Sequence, residues 1–97
     1  GMPRPRRVQF PGALYYVTNR GAGGKPLFEG VADAQDFLKQ LEDVAAALGW
    51  RCYAYALAAD RYHLVIETTA PNLSEGMQSF AGRYTQGFNR RHGREGP

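Results

Sequence analysis

The residues best suited to chemistry in this chain lie close together at Asp60-Arg61-Tyr62-His63, with Glu67 four positions on. In an extended strand, side chains two apart point the same way, so Arg61 and His63 share one sheet face. A guanidinium there is a permanent cation that can grip a phosphate in a forked, bidentate manner without transferring it. His63 reads either as a further phosphate contact or as a partly buried histidine. Asn19, Arg20 and Gly21, at the end of an earlier strand, would place backbone and guanidinium donors beside a phosphate. Arg4, Arg6 and Arg7, interleaved with prolines, form an extended basic arm of the kind that contacts nucleic acid, or else a plain tail. Tyr84, Phe88, Asn89, Arg90 and Arg91 mix aromatic rings with bases, as single-strand binders do, although Tyr84 and Phe88 equally suit a core.

Hydrophobic spacing defines the elements that must position these groups. Residues 13–18 alternate, with Ala13, Tyr15 and Val17 on one face and Leu14, Tyr16 and Thr18 on the other, which predicts a strand. Three glycines and a proline in Asn19–Pro26 predict a loop. From Asp33 to Leu48, the residues Phe37, Leu38, Leu41, Val44, Ala45 and Leu48 form one helical stripe that Gly49 ends. The acids early in that helix suit its dipole. Trp50–Leu57 and Arg61–Thr68 read as strands, the latter turning Leu64, Ile66 and Thr68 one way and Arg61, His63, Val65 and Glu67 the other. Asn72 with Glu75 three residues later predicts an N-capped helix to about Arg91, burying Met77, Phe80, Ala81, Tyr84 and Phe88. Gly76, Gly82 and Gly87 inside it point to close backbone packing or fraying.

The 97 residues make one small domain, and 43% hydrophobic content is enough for a modest core. One cysteine, Cys52, excludes an internal disulfide or a cysteine-based zinc site. No apolar run reaches the roughly 20 residues of a membrane span, and the expectation is a soluble cytoplasmic protein. The net charge of +3 is unevenly spread. Residues 1–25 carry Arg4, Arg6, Arg7, Arg20 and Lys25 without an acid, whereas residues 26–50 hold five acids and only Lys39. Residues 76–97 are basic again through Arg83, Arg90, Arg91 and Arg94. Two basic ends around an acidic middle suggest a phosphate-facing surface, or ordinary solvated charge.

The segments FPGALYYVTNRG, AADRYHLVIET and NLSEGMQSFAGRYTQGFNRRHGR occur in the order found in one family. Over about residues 3–95 the chain resembles the single-strand tyrosine transposases of the HUH class, in their REP-associated branch. The resemblance implies an α+β, ferredoxin-like sandwich in the order β-α-β-β-α, an antiparallel sheet with two helices on one face. Relative to the family, the last strand and the helix bearing the nucleophilic tyrosine are missing. It implies binding of single-stranded or hairpin DNA, and a divalent cation, magnesium or manganese, held by two histidines. The family's Asn-His-Tyr-His stands here as Asp60-Arg61-Tyr62-His63, so His63 is a vestigial ligand and the first histidine is Arg61. Any metal would rest on His63 with Glu67 or Asp60, and none is expected to bind. The DNA contacts implied are Arg4, Arg6, Arg7, Asn19, Arg20, Arg61, His63, Arg83, Arg90 and Arg91. The expected protein is a DNA-binding, catalytically inactive relative of strand-transferring enzymes. A bare edge on the first strand would favour a homodimer. The rivals are a dimeric regulatory module without DNA binding, and an RNA-binding domain using Tyr53 and Tyr55.

Overall fold

The alternation at residues 13–17 governs how the sheet is built. In a computed structural model describing residues 12–94, β1 (Leu14–Arg20) is followed by a 3-10 turn over Ala22–Gly24 and α1 (Val31–Leu48). Then come β2 (Arg51–Ala58), β3 (Arg61–Glu67) and α2 (Leu73–His92). The strands lie in the order β1-β3-β2, antiparallel throughout. The architecture is therefore α+β, a three-stranded antiparallel sheet with two helices. The expected basic arm, with Arg4, Arg6 and Arg7, lies outside the described residues.

One sheet face carries the core. Val17 of β1 and Tyr62, Leu64 and Ile66 of β3 meet Phe37, Leu41 and Val44 of α1 and Leu73, Phe80 and Tyr84 of α2. Phe37 and Phe80 are almost fully enclosed and meet edge to face at 4.8 Å between ring centres. Burial of each stabilises the fold by roughly 2–3 kcal/mol. Gly49 ends α1 at φ 74°, a left-handed turn that favours glycine.

Three expectations need correction. The ladder continues past Thr18, pairing Asn19 with Tyr62 and Arg20 with Arg61, so both belong to β1 and not to a loop. Asn72 precedes α2 but does not cap it with its side chain. Its carboxamide oxygen instead accepts the Trp50 indole N–H at 2.8 Å, and its nitrogen donates to the Leu48 carbonyl at 3.3 Å. Ala81 is exposed, because the stripe facing the core passes through Phe80 and Tyr84 instead. Among the acids early in α1, Asp33 is 1% exposed. With Gly30 offering no capping side chain, Asp33 reaches back and accepts the Glu29 backbone N–H at 2.7 Å.

Candidate functional site

The face of the sheet away from the helices carries Leu14, Tyr16 and Thr18 from β1 and Arg61, His63, Val65 and Glu67 from β3. His63 sits in register with Thr18, so Tyr16 is its diagonal neighbour. The two rings are nearly parallel, 3° apart with centres separated by 5.8 Å, and the Tyr16 hydroxyl shares a 2.5 Å hydrogen bond with Nδ1 of His63. Tyr16 escaped the sequence reading of the site. Only the pairing register brings it to His63 across 47 residues of chain.

At one end of this face, Arg20 and Arg61 are direct cross-strand partners. Like charges in opposed positions repel, so this end of the sheet favours an anion. Asp60, in the turn before β3, supplies part of that need. Its carboxylate accepts from Arg61 Nε at 3.2 Å and Nη2 at 3.4 Å. The Arg61 hydrogen bond holds the Asp60 carboxyl below its ordinary range against its own desolvation, and the charges of Arg61 and Arg20 add to the effect. Two guanidiniums against one carboxylate leave a surplus positive charge there.

These residues do not fit a divalent cation. Arg61 has no lone pair to donate. Glu67 stands four residues from His63 along the strand, about 13 Å away. One of its oxygens accepts the Tyr53 hydroxyl at 2.9 Å. Asp60 is held by Arg61. Among the described residues, no three His, Cys, Asp or Glu side chains are grouped to hold an ion.

The other basic residues do not gather here. Arg83 and Arg90 are exposed on α2, in the helical layer. Arg91, one of the DNA contacts the resemblance implies, is held in ion pairs with Asp33 (Nε to Oδ1, 2.7 Å) and Asp36 (Nη1 to Oδ2, 2.6 Å). His92 joins it on Asp33 at 2.9 Å. Tyr84 is core, as its stripe position allowed. Its hydroxyl donates to the Leu27 carbonyl, and burial, then the nearby Asp33 charge, pushes its phenol well above the ordinary range. Tyr53 and Tyr55 are both exposed but do not form one platform. The β2 register shifts between Cys52 and Ala54, bypassing Tyr53, so Tyr53 reaches Glu67 while Tyr55 pairs with Leu64 and lines a shallow hollow beside Leu38 and Leu41.

A second feature opens at the end of the sheet that carries Arg20. A cavity of about 290 Å³ lies between the end of β1, the following turn and α2. Its walls include Tyr62, Phe80, Tyr84 and Phe88, with Arg20 and Lys25 among the polar residues lining it. Arg94, also lining it, is tied to Glu29. Comparison of the chain with family models, curated proteins and solved structures finds no match. Among the described residues, no helix is long and apolar enough to cross a membrane.

Proposed function

We propose that this domain binds single-stranded or hairpin DNA on the open sheet face, as a ferredoxin-like relative of the HUH transposases that does not transfer strands through a metal centre. The observation that carries this reading is the opposed pair Arg20 and Arg61, a doubled cation beside His63 on the central strand. A phosphate placed there relieves the repulsion between the guanidiniums and accepts forked hydrogen bonds from both. The sequence resemblance supplies the class of partner.

Fluorescence anisotropy with a labelled hairpin carrying a single-stranded flank tests this at two salt concentrations, with and without magnesium or manganese. The expected result is salt-sensitive binding that neither metal alters. Arg61→Ala weakens binding about tenfold and lowers the salt slope by about one. Unchanged affinity and slope in that variant would falsify the proposal, and metal-dependent cleavage would overturn its inactive part.

The β1 edge favours a second, compatible reading, a homodimer. Among the described residues β1 pairs only with β3, and Leu14 and Tyr16 beside its free edge are 64% and 63% exposed. Pairing of two copies along this edge would cover it. Sedimentation equilibrium at tens of micromolar should show a dimer, and a single monomeric species would dismiss it.

A further inference from the structure

We infer that Tyr16 positions His63 for phosphate: its hydroxyl donates to Nδ1, which fixes the imidazole in the form that presents an Nε2–H donor beside the Arg20–Arg61 pair. Among the described residues flanking His63 in the sheet, Tyr16 is the one placed to do this. Thr18, directly opposite His63, donates its hydroxyl to the Tyr62 carbonyl at 3.0 Å. On the β2 side, Ala54, Ala56 and Ala58 stand in register with Val65, His63 and Arg61, all three exposed and bearing only methyl groups. Tyr16 lies diagonally across from His63, its ring 3° from parallel and its hydroxyl 2.5 Å from Nδ1.

The direction of the bond follows from the chemistry of the two groups. A phenol is a stronger proton donor than a neutral imidazole N–H, and an imidazole lone pair is a better acceptor than a phenol oxygen. The hydroxyl therefore donates, Nδ1 accepts, and the ring proton must sit on Nε2. Nδ1 is turned to β1, and the flank of His63 towards β2 meets only the small side chain of Ala56. Arg61 is two residues back along the same face, about 7 Å away, so a run of donors continues from Arg20 and Arg61 to His63. Such a run takes an acceptor-only group, as phosphate oxygens are. It also leaves His63 no free lone pair for a cation, because Nδ1 accepts the hydroxyl proton and Nε2 holds its own. The inference rests on the DNA-binding reading for the source of the phosphate; the form of the imidazole does not.

Long-range proton–nitrogen correlation spectra of the full chain at about pH 8, where an ordinary histidine is neutral, locate the ring proton directly. The parent should show a bare Nδ1 and a protonated Nε2 at His63. Tyr16→Phe keeps the ring and, at a 63% exposed position, the fold, but should move the Nδ1 resonance downfield. A proton on Nδ1 in the parent, or resonances unmoved by Tyr16→Phe, overturns the inference. The ligands are the hairpin and inorganic phosphate, the latter matched with sodium chloride for ionic strength, and each should shift Nε2 of His63. Tyr16→Phe should weaken hairpin binding about threefold with the salt slope unchanged, since no charge is lost. In a His63→Ala background Tyr16→Phe should add nothing; an equal loss there means that Tyr16 meets the ligand itself, and its positioning role falls. Shifts with phosphate but no hairpin binding uphold the inference and remove the DNA-binding reading. Hairpin binding that leaves the His63 nitrogens unmoved does the reverse. No response to either ligand removes both.

Discussion

Asp33→Ala should destabilise the domain by about 3 kcal/mol or more, the cost of stripping one partner from a buried ion pair. The carboxylate is 1% exposed and accepts from the Glu29 backbone N–H, Arg91 and His92, joining the start of α1 to the end of α2. Removing it leaves the Glu29 N–H unsatisfied and Arg91 held by Asp36 alone. For a domain of this size the melting temperature should fall by roughly 12–24 °C. A loss under about 3 °C would show that this junction contributes little. The pH dependence has a definite sign. Burial by itself raises the Asp33 carboxyl, but the Glu29 N–H, Arg91 and His92 together hold it below its ordinary 3.8. A carboxyl depressed in the folded state contributes its full stability above the ordinary value and loses it as pH falls through the folded one. Urea denaturation should thus show stability falling below about pH 4, and Asp33→Asn should flatten that fall.

Gly76→Ala should cost about 2 kcal/mol or more, whereas Gly82→Ala, six residues along the same helix, should stabilise by about 0.5–1 kcal/mol. A methyl on Gly76 would lie 2.1 Å from Cζ2 of Trp50 and 2.6 Å from Cδ1 of Leu48, far inside contact distance. The indole has little freedom to retreat, because it is 6% exposed and its N–H is bonded to Asn72. Gly82 meets nothing within 4 Å, so alanine there brings only its better helix propensity. Thermal melts of the two variants beside the parent check the contrast. If both move the same way, the close approach of Trp50 to α2 is not what sets the choice of glycine.

Periodicity made the core legible. Phe37, Leu41 and Val44 at helical spacing, and Leu64, Ile66 and Thr68 at strand spacing, are buried as their positions require. The sequence also separated the two faces of β1 and β3, and with them the common side of Arg61 and His63. What it withheld were partners remote in the chain. Nothing local distinguishes Asp33 from the acids that follow it, and its burial depends on Arg91, 58 residues away. Asn72 has the spacing of an N-cap, yet the nearby indole of Trp50 offers its side chain a competing hydrogen bond. The pairing of Arg20 with Arg61 required the strand register, because β1 extends two residues into a glycine-rich stretch that reads as a loop. The cavity was invisible for the same reason, since a turn, a strand end and a helix meet to form it.

The junction between the ends of the helices also bears on the making of the protein. Asp33 is synthesised 58 residues before Arg91 and 59 before His92. At ribosomal speeds of about 5–20 residues per second, it waits roughly 3–12 s for these partners. Until then α1 carries an unpaired carboxylate on the surface it must bury, which disfavours closing the core over it. An α1 that docked earlier would bury Asp33 with only the Glu29 N–H to hold it.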